Sequence, residues 1–304
     1  MSAKRVASRV PSSTPFTAEA TGGPRVSLEF FPPRRTEGDG GGSGIDGVIE
    51  RLRDLNPAFC SCTYGAGGST RDGTRETVRR LIELGFDAVP HLSIGTDSES
   101  DIGALLDHYR QLGVRRIVAL RGDVPSGVGR ARLTHNAETL VQWIRAHSGD
   151  HFEIEVAAYP ETHPDARSPA EDLDYFARKV AAGANGAITQ YFYNVDAYVD
   201  FVDRCRRAGI AIPIVPGIMP ITNLDGIVRF SDNCGADLPR WIRKQLEALR
   251  DDEPGLRAFG IEVVTRVCQE LLAAGAPGLH FYTLNRWGAT AAICRNLGLN
   301  STAA

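Results

Sequence analysis

A single (β/α)8 barrel, the TIM-barrel class of α/β fold, is what this sequence predicts, on three observations. From Val26 onward, short β-branched or aromatic runs alternate with longer segments of helical period, and the alternation repeats eight times. Most strand-to-strand intervals are about thirty residues, the size of one βα unit. No block of strands is left over, and no composition shift or linker divides the chain after residue 26. An open doubly wound sheet is the alternative, but no G-x-G-x-x-G follows the first strand.

Residues 1–25 mix Arg, Ser, Thr and Pro without hydrophobic periodicity and read as a flexible arm, with residues 26–304 forming the barrel. The arm is basic and Ser-rich with its first acid at Glu19, a pattern that also suits a transit peptide. Strands are expected near 26–31, 58–63, 87–92, 116–121, 153–159, 186–192, 211–216 and 278–284. After the first, the glycine-rich segment Gly38 to Gly44 lacks the Lys-Ser/Thr of a phosphate loop and reads as a flexible connection. Between the second and third, Thr70 to Leu84 is helical: Val78, Leu81, Ile82 and Leu84 make an apolar stripe against Arg75, Glu76, Arg79, Arg80 and Glu83. The last interval is roughly twice the usual βα length. It leaves room for extra helices around Leu238 to Arg250 and Leu256 to Ala274 before the final strand.

Composition narrows the function. The chain has 304 residues, 34 basic against 37 acidic, and a net charge of -3. That balance offers no footprint for a phosphate backbone, so the expected partner is a small molecule and not a nucleic acid. The longest apolar stretch, Ala208 to Thr222, is too short for a bilayer and is broken by Pro213, Pro216 and Pro220, so no membrane span is expected. The six cysteines make no disulfide framework and suit a reducing, cytoplasmic setting. A chain of this length buries enough surface to need no structural metal. Lysine occurs only at positions 4, 179 and 244.

Barrel chemistry sits at the carboxyl ends of the strands. There the chain places Glu29; Thr63 and Tyr64; His91; Arg121, Gly122 and Asp123; Tyr159, Glu161 and His163; Gln190; and Tyr282, Asn285 and Arg286. Period-2 alternation puts Glu29 on the face of Ser27 and Phe31, opposite Leu28 and Phe30. Desolvation disfavours the charged form of a carboxylate, so one enclosed beside an aromatic ring is a candidate proton donor; a structural ion pair is the alternative. Asp123 follows a glycine that permits close backbone approach to a ligand, although it could equally cap the next helix. Lys179 follows Arg178 on a helix whose Phe176 and Val180 face inward, the pattern of a solvated basic face.

Three chemistries are open to such a set. A Schiff-base aldolase needs a desolvated lysine at a strand end, and no lysine occupies one. A metal-dependent lyase or hydrolase could draw on Glu29, His91, Asp123, Glu161 and His163, but no His-x-His or paired-carboxylate spacing appears. Aromatic, amide and arginine side chains (Tyr64, Tyr159, Gln190, Tyr282, Arg286) outnumber plausible metal ligands, as where flat heterocycles and phosphates are held.

The strand ends resemble the bacterial, flavin-dependent 5,10-methylenetetrahydrofolate reductases. The matching blocks are Glu29-Phe30-Phe31-Pro32-Pro33, Thr63-Tyr64-Gly65-Ala66, Pro90-His91-Leu92, Leu120-Arg121-Gly122-Asp123, Ala157-Ala158-Tyr159-Pro160-Glu161 with His163-Pro164, Ile188-Thr189-Gln190, Pro216-Gly217-Ile218-Met219-Pro220 and Phe281-Tyr282-Thr283-Leu284-Asn285-Arg286. The resemblance implies a barrel holding FAD, reduced by NADH or NADPH, which then reduces 5,10-methylenetetrahydrofolate to 5-methyltetrahydrofolate for methionine synthesis, in a homo-oligomer. It implies Glu29 as the general acid that opens the folate's five-membered ring and Asp123 as the residue tuning the flavin beside the pterin. It nominates Tyr64, Ala66, His91, Arg121, Gly122, Asp123, Ala137, Tyr159, His163, Ala166, Asp172, Arg178 and Lys179 for FAD, and no metal. Thr63, Asp123, Gln190, Phe230, Tyr282 and Arg286 are implied substrate contacts. Three positions depart from the family pattern: Gly226 stands for a glutamine, Asn136 for a tyrosine and Tyr175 for an asparagine. Eukaryotic members add a domain that senses S-adenosylmethionine, and with one barrel no such control is expected. A metal-dependent barrel enzyme and a non-catalytic flavin- or folate-binding subunit of a redox complex remain the alternatives.

Overall fold

A computed structural model of the protein describes residues 24–33, 43–64, 71–95, 97–122 and 135–299. Nine strands, all parallel, form one sheet: β1 (Arg25–Phe30), β2 (Cys60–Cys62), β3 (Ala88–Ser93), β4 (Arg116–Leu120), β5 (Glu153–Ala158), β6 (Gly186–Thr189), β7 (Ile214–Val215), β8 (Gly217–Ile218) and β9 (Gly278–Tyr282). The order is β7-β6-β5-β4-β3-β2-β1-β9-β8. The outermost strands in that order are consecutive in sequence, so β7 and β8 are one barrel strand broken at Pro216. That seventh strand was expected as a single run.

Proline has no N–H to continue the ladder, and the chain changes partner there. β7 pairs with β6 and β8 with β9. Pro216 O accepts from the His280 N–H at 3.0 Å, and the Gly217 N–H donates to Thr189 Oγ1 at 2.9 Å. A Cβ on Gly217 would stand 2.2 Å from Thr189 O, so only glycine lets β8 lie this close to β6. The sheet thereby closes as the eight-unit barrel that the alternation predicts.

An apolar cluster of Phe59, Val89, Val118, Ile188 and Val215 fills the barrel interior. Below them, Arg116 Nη1 donates to Glu155 Oε1 at 2.5 Å, with both side chains almost wholly buried. A Cβ on Gly186 would lie 2.2 Å from Glu155 Oε2, so the glycine makes room for the pair. Outward positions such as Val26, Leu28 and Phe30 pack against the helices.

Those helices are α1 (Ser43–Leu52), α2 (Arg71–Glu83), α3 (Glu99–Gln111), α4 (Ala137–Ser148), α5 (Pro169–Ala181), α6 (Val195–Arg207), α7 (Leu224–Cys234), α8 (Arg240–Ala248), α9 (Glu253–Ala273) and α10 (Gly288–Asn296). α2 buries Val78 and Leu81 from its expected stripe, and α8 and α9 fill the long last interval. Starts are set by capping: Ser98 and Asp101 form a reciprocal box on α3, and Ser168 caps α5 with Pro169 in its first turn. All six cysteines are free, five of them buried. No helix among the described residues is long and apolar enough to cross a membrane.

Candidate active site at the mouth of the barrel

β1 carries Glu29 into the barrel, as its parity predicts. Its register places it beside Ser61 on β2 and Tyr282 on β9. The side chain is 12% exposed, and Glu29 Oε2 lies 3.4 Å from His91 Nε2 and 3.5 Å from His280 Nε2. Burial pushes the His91 pKa down against the opposing pull of Glu29, so this imidazole is neutral at neutral pH. Burial also raises the Tyr282 phenol well above its ordinary value, with Glu29 adding to the effect. The phenol donates to Thr189 O at 2.6 Å.

The loop after β9 locks the end of β1. Thr283 Oγ1 donates to Glu29 O at 2.6 Å, while Asn285 Oδ1 accepts from the Phe31 N–H and Asn285 Nδ2 donates to Phe31 O, each at 2.9 Å. Leu284 and Asn285 both sit at positive φ, 51° and 55°. Asn tolerates that conformation, whereas Leu284 pays roughly 1 kcal/mol for it. The strained corner orients the backbone that holds the carboxylate.

A cleft of about 500 Å³ opens at the carboxyl ends of β3, β4 and β5, and neither Glu29 nor His91 is among its lining residues. His91 and Ser93 share the inward face of β3, so His91 joins the carboxylate to the cleft wall. Nine of the nominated cofactor residues line the cleft: Tyr64, Arg121, Gly122, Ala137, Tyr159, His163, Ala166, Asp172 and Lys179. Ala66 and Asp123 lie outside the described residues, as do Gly38 to Gly42 of the glycine-rich segment. Arg178 lies just beyond the lining, paired with Glu138 at 3.3 Å and stacked 4.1 Å over the Tyr175 ring. Asn136 and Tyr175, two of the family departures, both line the cleft. Asn136 Oδ1 caps α4 by accepting from the Thr139 N–H at 3.0 Å.

Local chemistry sets the cleft wall. Gly122 has φ 85°, and a Cβ there would fall 1.7 Å from Ser93 Oγ, so glycine is required. Arg121 pairs with Asp165 at 3.0 Å. His163 packs edge-on against Tyr159 and is held by two bonds: its N–H donates to Asp172 Oδ2, and its Nδ1 accepts from the Asp165 N–H. Burial, reinforced by Arg121, lowers the His163 pKa.

Lys179 departs from the solvated face expected of it. From α5 its ammonium reaches back to donate to Ala157 O inside β5, and desolvation lowers its pKa to about 8. A lysine desolvated at a strand end therefore exists. Lys179 stands on a helix and not at a strand end, but its four-carbon stem is long enough to carry the ammonium to one.

The nominated substrate contacts are less tightly gathered. Thr63 ends β2 half-buried, with its carbonyl accepting from Thr74 Oγ1. Gln190 follows β6, where its Oε1 accepts from the Tyr191 N–H. Phe230 is half-buried on α7, and Arg286 is exposed after β9. Among the described residues no three His, Cys, Asp or Glu side chains gather as a metal would need. Glu161, one of the residues weighed as a ligand, instead accepts from the Asp237 N–H at 2.8 Å.

Sequence reasoning missed His280 and the Arg116–Glu155 pair. A signal for His280 was present, since it stands two residues before Tyr282 in a strand and therefore shares its inward face.

A profile of the methylenetetrahydrofolate reductase family matches residues 16–298. The chain belongs to that family. It is 39% identical over 283 residues to the 5,10-methylenetetrahydrofolate reductase of Escherichia coli K12, covering 93% of each chain. It is 40% identical over 299 residues to a probable methylenetetrahydrofolate reductase (NADH) of Oryza sativa, covering 93% of this chain and 49% of the rice protein. In fold it is similar to an uncharacterized Clostridium thermocellum protein that binds two copies of 5-methyl-5,6,7,8-tetrahydrofolic acid. That match has a TM-score of 0.62 and 16% identity, and covers 90% of this chain and 93% of the other.

Proposed function

We propose that this protein reduces 5,10-methylenetetrahydrofolate to 5-methyltetrahydrofolate, using NADH or NADPH and a bound FAD in two successive half-reactions. The observation that carries the reading is Glu29, a nearly enclosed carboxylate 3.4 Å from His91 on the strand whose Ser93 lines a cleft of cations and rings; family membership supports it. The cleft suits FAD chemically. Arg121 and Lys179 can neutralise a pyrophosphate, Gly122 admits a flat ring close to the backbone, and Tyr159 and His163 supply an edge for it to pack on. When bound, FAD would relay a hydride from nicotinamide to folate. Glu29 gives its proton to a folate nitrogen as the C–N bond of the five-membered ring breaks, and the methylene carbon, left electron-poor, takes the hydride. Asp123 would act beside the flavin, and Gln190, Phe230, Tyr282, Thr63 and Arg286 would hold the exchanging substrates. The product serves as a methyl source for methionine synthesis.

The purified protein should absorb as a flavoprotein, bleach anaerobically with NADH or NADPH, and regain colour with methylenetetrahydrofolate. Glu29→Gln should still bleach yet recover its colour at least about 100-fold more slowly, the scale of one general acid. A protein that cannot be reconstituted with FAD, or a variant that slows both half-reactions equally, refutes the assignment.

A further inference from the structure

His280 has no task in the reaction outlined above, yet it is a fully enclosed polar group next to Glu29. Its side chain is 0% exposed. Its Nδ1 lies 2.8 Å from Ser27 Oγ, itself fully buried, and its Nε2 lies 3.5 Å from Glu29 Oε2. The ring is wedged between Phe59, stacked at 5.8 Å, and Tyr282, edge-on at 5.3 Å. Such a ring has one orientation, and its protons follow from its neighbours.

With or without a proton on Oε1, the Glu29 Oε2 atom only accepts hydrogen bonds, so the nitrogen facing it must carry the hydrogen. A neutral imidazole then presents a bare Nδ1, which Ser27 can satisfy only by donating its hydroxyl proton. Ser27 thus fixes the tautomer, and the tautomer aims a donor at Oε2. His91 Nε2 stands 3.4 Å from the same oxygen but makes no hydrogen bond with it. Among the described residues, no hydrogen bond falls on Glu29 Oε1.

We infer that His280, with its tautomer set by Ser27, is a positioning residue that occupies Glu29 Oε2 and leaves Oε1 as the oxygen that carries the proton to substrate. The inference rests on the proposed role of Glu29. The other ionisable neighbours leave the pattern intact. Cys62 on β2 and Tyr282 on β9 are both held neutral by burial. Glu155 on β5, which also faces His280, is held in its pair with Arg116.

Two measurements test this separately from the overall function. With seven histidines in the chain, ¹⁵N-histidine spectra can be assigned by substitution. His280 should show a protonated Nε2 and a bare Nδ1, and Ser27→Ala should mix the tautomers. A protonated Nδ1 in the unsubstituted protein overturns the inference, whatever the protein catalyses. In the two half-reactions, His280→Leu should slow recovery of colour with methylenetetrahydrofolate roughly 10- to 100-fold, a part of what a whole general acid contributes. Bleaching by NADH and the folate Kd should stay within about twofold. His280→Gln, whose amide can still donate toward Oε2, should restore most of the rate. Equal loss in both half-reactions, or no rescue by glutamine, overturns it. The expected tautomer in a protein that neither bleaches nor turns over would sink the proposed function and leave the geometry standing. Should the leucine variant fail to fold, Ser27→Ala carries the same kinetic comparison, with a smaller loss confined to the folate step.

Discussion

Lys179→Met separates a lysine kept for a ligand from one kept for the fold. The residue is part-exposed but its ammonium is desolvated, with a pKa lowered from 10.5 to about 8. Keeping it charged at pH 7 costs about 3 kcal/mol, at about 1.4 kcal/mol per pH unit. Methionine removes that cost and forfeits the bond to Ala157 O, worth about 1 kcal/mol. The flavin-free variant should therefore be more stable by about 2 kcal/mol, a rise in Tm of about 4 °C at this size. The sign with pH follows from linkage: between pH 8 and 10.5 the unfolded chain holds the proton that the folded one has lost. Stability of the unsubstituted protein thus rises through that window, and its deficit against the variant closes by pH 10.5. FAD should bind the variant roughly 10- to 100-fold more weakly, for loss of a charge-assisted contact of about 1.5–3 kcal/mol. Calorimetry of the flavin-free proteins at pH 7 and 10, with flavin-fluorescence titration, measures both effects. A variant that is less stable at pH 7, or that binds FAD as before, would show that Lys179 serves the fold alone.

Two further predictions concern the scaffold. Glu155→Leu strands a buried guanidinium and should cost about 3–5 kcal/mol in urea unfolding, whereas Arg116→Met with Glu155→Leu should recover most of that loss; equal costs for the single and double variants would mean the pair is not coupled. Gly122→Ala places a methyl 1.7 Å from Ser93 Oγ at φ 85° and should cost about 2 kcal/mol or more. Adding Ser93→Ala should leave about 1 kcal/mol of backbone strain, so a double variant as unstable as the single would contradict the clash.

Much of the barrel was legible because the period of each segment is a local property. Two-residue alternation assigned Glu29 to the interior, and β1 bears that out with Ser27 and Glu29 inward and Val26, Leu28 and Phe30 outward. The break at Pro216 was less legible, since a proline near a strand end can terminate a strand as readily as redirect its pairing. Only the partners, β6 on one side and β9 on the other, show that it redirects.

The site was legible to the extent that its groups stand at strand ends. Lys179 does not: it stands on a helix, and its chemistry depends on where its stem finds a carbonyl, here Ala157 O across 22 residues of chain. His280 fails for the opposite reason. It lies below the strand end, inside an apolar run where a lone histidine reads as a buried structural residue, and its meaning comes from Ser27 and Glu29, 253 and 251 residues away. Parity names the face a side chain shares, but the tautomer that turns this imidazole into a donor toward Glu29 is decided by a hydroxyl on another strand. Closure of the barrel brings β1 against β9, and that pairing assembles a carboxylate held on one side and open on the other.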